Sequence, residues 1–150
     1  MIFRSRRSVV AALSVLALAA CAGPADMSVD DAWVRLPAVP GRPAAGYFTI
    51  HGGPSQATLV NVSADYAVRT EMHATTAGPG GATSMAPIAQ VAIPAGGEVR
   101  FEPGGRHLML FDFDPRATKG TTTLLTLTFS DGSHLYRKAY IVGPGEGSPE

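Results

Sequence analysis

Beyond about residue 31, apolar and polar positions alternate with a period of two in short runs, each closed by glycine or proline. A period of two is the signature of half-buried β-strands, because successive side chains point to opposite faces. Ala32 to Leu36 reads as a first strand. Pro37 to Pro43 then holds three prolines and one glycine, which forces an irregular loop before a second strand at Gly46 to His51. Ala57 to Val62 and Ala67 to His73 are further strands, and Gly78-Pro79-Gly80-Gly81 reads as a loop or turn between His73 and Met85. Ile88 to Ile93 ends in the turn Pro94-Ala95-Gly96-Gly97. Glu98 to Phe101 and Arg106 to Phe111 flank Pro103-Gly104-Gly105, as two short strands around a tight reversal. Thr121 to Phe129 and His134 to Val142 bracket Asp131-Gly132, the strongest hairpin signal in the chain. No dozen-residue window after the N-terminal stretch combines a 3.6-residue period with freedom from glycine and proline, so no long helix is expected. Seven to nine short strands imply an all-β sandwich or Greek-key barrel.

The 150 residues contain no internal repeat, which suits one domain. The first residues change the picture. Arg4, Arg6 and Arg7 precede an uncharged run from Ser8 to Ala20 that is too short to span a bilayer and reads as a signal peptide. Leu18-Ala19-Ala20-Cys21 resembles the bacterial lipobox, in which the cysteine is lipidated and becomes the first mature residue. Ser5-Arg6-Arg7-Ser8-Val9-Val10 also resembles a twin-arginine signal, which leaves the export route open. The expected organisation is a signal peptide at 1–20, a lipidated tether at 21–30, a folded domain at 31–142 and a flexible tail at 143–150. The product would sit on the extracytoplasmic side, held to the membrane by its lipid alone.

Loss of residues 1–20 removes three arginines and no acids, so 12 basic residues become 9 against 12 acidic ones, a formal charge of −3. That balance disfavours nucleic acid as a partner. Cys21 is the single cysteine. Once it is acylated no thiol chemistry remains, which excludes both a blue-copper cysteine ligand and a cysteine-pair copper site.

The chemistry lies in His107-Leu108-Met109. Residues two apart on a strand project from one face, so His107 and Met109 point the same way, while Leu108 and Leu110 point inward. His73 ends an earlier strand, and Met85 follows the Gly-Pro-Gly-Gly loop, where the chain can fold back beside it. Imidazole nitrogen with thioether sulfur suits monovalent copper; calcium and magnesium want oxygen, and structural zinc wants thiolate or several imidazoles.

His73, eleven residues, Met85, twenty-one residues and then His107-Leu108-Met109 resembles the spacing of the periplasmic copper chaperones called PCu(A)C. The resemblance extends to Glu71-Met72-His73, Ile93-Pro94-Ala95-Gly96-Gly97, Pro103 to Leu110 and Leu125-Thr126-Leu127-Thr128-Phe129, and covers roughly Ala32 to Val142. It implies a cupredoxin-like or immunoglobulin-like Greek-key β-sandwich. It also implies a carrier, not an enzyme, that holds one copper ion, mainly Cu(I) with Cu(II) as an alternative state. By that resemblance His73, Met85, His107 and Met109 are the ligands. The recipient that the resemblance implies is a copper-site subunit of cytochrome c oxidase or a thiol-bearing copper chaperone. Ala74 stands where some members have a methionine, and Met72 points to the other face. Two stretches depart from the family: Phe111 to Ala117 is less leucine-rich and basic than usual, and the tail lacks the histidines and methionines that take a second ion in some members.

His51 and His134 read as solvated turn residues outside the site. Trp33, the single tryptophan, reads as a buried anchor of the sandwich. Two other classes compete with the carrier: a metal-independent immunoglobulin-like lipoprotein that binds a protein or glycan, and a copper-scavenging or resistance protein. A third class, a small copper or zinc enzyme, is disfavoured by the lack of His-Glu-x-x-His, of Gly-x-Ser-x-Gly and of an obvious carboxylate paired with a histidine.

Overall fold

The computed structural model describes residues 25–149; the leader and Cys21 lie outside the described residues. Ten strands occupy this span: β1 (Ser28–Arg35), β2 (Ala44–His51), β3 (Ala57–Ala64), β4 (Ala67–Ala77), β5 (Thr83–Pro87), β6 (Val91–Ile93), β7 (Glu98–Phe101), β8 (Arg106–Phe113), β9 (Thr122–Phe129) and β10 (His134–Val142). A single 3-10 turn at Pro79–Gly81 is the only helical element among the described residues. The all-β expectation therefore holds.

Hydrogen bonds join the strands in the order β5-β4-β8-β7-β2-β1-β10-β9-β3-β6. The β1–β10 and β7–β8 pairs are parallel and the others antiparallel. This mixed sheet folds over so that both halves cover one core. Met72, Leu108, Leu110, Phe48, Ile50 and Phe101 from one half meet Leu59, Val62, Leu125, Leu127, Phe129 and Ile141 from the other. Phe48 and Phe101 stack with centroids 4.4 Å apart. The Thr70 hydroxyl donates to the Val62 carbonyl and ties β4 to β3, where the sheet closes on itself. β9 shows the strand period most plainly: its even positions are half-buried, while Thr123, Leu125, Leu127 and Phe129 are buried.

Four local readings change. First, β1 begins at Ser28, four residues before the Ala32 read from the sequence. Asp31 adopts φ +50 and the β1–β2 register shifts between Asp30 and Trp33, so this bulge breaks the alternation and hides the first half of the strand. Second, β4 runs on to Ala77 and pairs with β5, a strand the glycine-rich loop concealed. Third, Pro103-Gly104-Gly105 is no reversal. β7 and β8 run the same way, β7 pairing with Phe48 to His51 of β2 and β8 with Ala44 to Gly46. β2 thus offers successive lengths of one edge to β7 and to the middle of β8. Fourth, Trp33 is buried, but in a small cluster with Tyr47 and Val142 on the outer face, separate from the main core. The Asp131-Gly132 hairpin forms as expected, with Gly132 at φ +84, a conformation that glycine adopts without a side-chain clash.

Candidate metal centre

Register places the site. Along the β4–β8 ladder His73 lies opposite His107, Glu71 opposite Met109 and Arg69 opposite Phe111. Directly opposed residues share a face, so all six side chains rise from the outer surface of the sheet, while Met72, Leu108 and Leu110 between them enter the core. On the next strand Met85 lies opposite Thr75, two residues on from His73 and on the same face. The four residues predicted as ligands thus come from three adjacent strands and share one side of the sheet.

The two imidazole centroids are 5.9 Å apart with planes inclined at 37°. Two imidazoles sharing one ion, each nitrogen about 2 Å from it, have centroids about 5–6 Å apart. His107 is buried, 6 % exposed, and its Nδ1 lies 3.0 Å from the Gly105 carbonyl oxygen. A carbonyl only accepts, so Nδ1–H donates and the lone pair of the neutral ring resides on Nε2. His73 is held the other way round: its Nε2 lies 3.0 Å from a Glu71 carboxylate oxygen. Its Nδ1 is buried and has no hydrogen-bond partner among the described residues. An orphaned buried acceptor costs about 1–3 kcal/mol, a cost that a bound cation would remove.

Met109 is half-buried between β4 and β2, its backbone pairing with Glu71 on one side and Ala45 on the other. Met85, by contrast, is 59 % exposed on edge strand β5. One thioether is therefore fixed by its neighbours and the other is free to swing. Among the described residues no group of three or more His, Cys, Asp or Glu is arranged to hold a metal. Two imidazoles and two thioethers on one face make up a soft donor set.

The expectation that no carboxylate pairs with a histidine fails, since Glu71 meets His73 and Asp30 and Glu98 flank His51; neither Glu71 nor Arg69 stood out in the sequence as a contributor to the site. The signal was present, since Glu71 is two residues from His73 on a strand and must share its face. Arg69 pairs with the Glu71 carboxylate and lies over the Phe111 ring, 3.7 Å from its centroid. Farther across the same face, Arg35 donates to the Tyr47 hydroxyl at 2.6 Å and lies over the Trp33 and Tyr47 rings. Burial raises the Tyr47 phenol above its ordinary value, and Arg35 opposes the shift. His51 stands between Asp30 and Glu98 at the end of β2, and His134 opens β10 in contact with Thr128; both lie outside the His73–His107 cluster. Cys21 lies outside the described residues.

A sequence profile of the LpqE-like lipoproteins matches residues 27–139. A protein of Leifsonia xyli subsp. xyli, Lxx21020, named as a lipoprotein, is 32 % identical over 107 residues. The match covers 71 % of this chain and 64 % of that one, so it spans just under two thirds of the relative. The solution structure of apo-DR1885 from Deinococcus radiodurans is 26 % identical with a TM-score of 0.60, covering 98 % of this chain and 99 % of that one. Its CuI form is 24 % identical with a TM-score of 0.57, covering 77 % and 76 %. The copper-bound PCuAC domain from PmoF2 shares the fold at 20 % identity, with a TM-score of 0.65 and coverage of 81 % and 97 %.

Proposed function

The chain belongs to the LpqE-like family of lipoproteins, and from that premise we propose that it is an exported, lipid-anchored carrier of copper. It holds one ion, chiefly Cu(I), between His73, Met85, His107 and Met109. The observation that carries this reading is the cross-strand register, which sets His73 against His107 with Met109 and Met85 on the same face. The copper-bound relatives with the same fold support it.

The chain's own residues account for holding and release. His107 and Met109 are held by β8, whose Leu108 and Leu110 are fully buried on the opposite side, so these donors keep their spacing whether or not metal is bound. Met85 is neutral, exposed and on an edge strand, so it is the donor that an incoming ligand displaces first. A recipient's thiolate or imidazole enters there, and the ion passes on by stepwise ligand exchange. The recipient in this reading is a copper centre of cytochrome c oxidase, or a thiol-bearing copper chaperone on the way to it. No bond of an organic substrate is made or broken, so the protein is not an enzyme. The division that goes with this reading is a signal peptide at 1–20, a tether from Cys21 to the start of β1 at Ser28 rather than to residue 30, a copper-binding domain to 142 and a tail at 143–150.

X-ray absorption by the domain loaded with Cu(I) tests the site directly. Mixed nitrogen and sulfur scattering is expected, with sulfur lost in Met85→Ala and in Met109→Ala. Coordination by nitrogen and oxygen alone, or no copper at all, would overturn the proposal in favour of a metal-independent lipoprotein.

A further inference from the structure

We infer that Glu71 is a positioning residue: it fixes His73 as the Nε2–H tautomer, so that Nδ1 is the atom His73 turns to the metal. The inference rests on the copper reading above and adds the atom used and the residue that selects it. An ionised carboxylate only accepts hydrogen bonds, so the 3.0 Å contact places the proton of a neutral His73 ring on Nε2. The lone pair then falls on Nδ1, the buried nitrogen without a partner. His107 is set in the opposite sense by the Gly105 carbonyl. The two imidazoles therefore present different nitrogens, Nδ1 from β4 and Nε2 from β8.

Glu71 is itself held. Arg69 pairs with its second carboxylate oxygen, and Arg69 in turn rests on Phe111, the residue opposite it on β8. Arg69, Glu71 and His73 occupy consecutive outward positions of β4, directly opposite Phe111, Met109 and His107 on β8. A carboxylate behind a ligating imidazole orients the ring and makes the other nitrogen a better donor.

The experiment compares wild type, Glu71→Gln, Glu71→Ala, His73→Ala and the double variant Glu71→Ala/His73→Ala. Nitrogen-detected NMR of the metal-free protein at alkaline pH reads the His73 tautomer. Competition with a Cu(I) chelator reads affinity, and thermal unfolding confirms that each variant folds. Wild type is expected as Nε2–H, and Glu71→Ala as a mixture of tautomers with affinity lower by about 10–100-fold. Glu71→Gln, whose amide oxygen still accepts from Nε2–H, should retain the wild-type tautomer and most of the affinity. In the His73→Ala background the Glu71 substitution should have no further effect, because Glu71 acts through the ring. A further loss there would make Glu71 a direct ligand and overturn the inference. So would an unchanged tautomer and affinity in Glu71→Ala. If His73→Ala itself leaves Cu(I) affinity unchanged, the ligand set fails and the inference falls with it, an outcome distinct from failure of Glu71 alone.

Discussion

Strand β8 alternates between two duties, and a pair of substitutions one residue apart should separate them. Leu108 is fully buried, packed beneath the outward-facing His107 and Met109. Leu108→Ala removes three carbons from the core, which at about 0.8 kcal/mol each is about 2.4 kcal/mol of lost transfer free energy. The remaining cavity adds more, for a total of about 3–4 kcal/mol, inside the range for such truncations. Met109→Ala leaves the core untouched and should cost the metal-free protein under about 1 kcal/mol. Copper reverses the ranking. A ligand present at a hundredfold excess over its dissociation constant stabilises the folded state by about 2.7 kcal/mol. Leu108→Ala should keep most of that increment, because its loss is one of packing, whereas Met109→Ala should lose much of it. Urea denaturation with and without Cu(I), under reducing conditions, measures all four stabilities. The reasoning is refuted if Met109→Ala destabilises the metal-free protein as much as Leu108→Ala does, or if the copper increment survives in Met109→Ala at wild-type size.

Gly52→Ala should be severely destabilising, by about 2–3 kcal/mol, because its β-carbon would lie 2.1 Å from the Pro94 carbonyl oxygen; an unchanged melting temperature would contradict that contact. Tyr47 should ionise above the ordinary tyrosine range near 10 because burial disfavours the phenolate. A group whose folded value is raised contributes stability below its unfolded value and loses it as pH rises through the folded one. Unfolding free energy should therefore fall on alkaline titration, and Tyr47→Phe should flatten that fall. Cu(I) retention should weaken on acidification, since protons compete with the metal for the imidazole lone pairs. A competition assay that gives a flat profile into acid would point to thioether-only binding.

Period-two alternation determined from the sequence alone that the domain is all-β. It also placed Leu108 and Leu110 inside and His107 and Met109 outside, because the pleat leaves a strand no other choice once one face is buried. Glycine and aspartate fixed the Asp131-Gly132 hairpin for a similarly local reason, the positive φ that the turn demands. Local rules fell silent where pairing is between distant strands. The parallel β1–β10 contact, the division of β2 between β7 and β8, and the appearance of β5 beyond a glycine-rich loop depend on which edges lie free once the core has closed. The bulge at Asp31 and the outward cluster of Trp33 with Tyr47 are of this kind too, since a positive φ at aspartate persists only where surrounding pairs enforce it. Spacing in the sequence proposed four donors, but the register of three strands brought them to one face. Gly105 and Glu71 each lie two residues before their histidine, so their contacts with Nδ1 of His107 and Nε2 of His73 are local in sequence and follow once the chain there is extended, whereas the meeting of the two imidazoles across β4 and β8 is not.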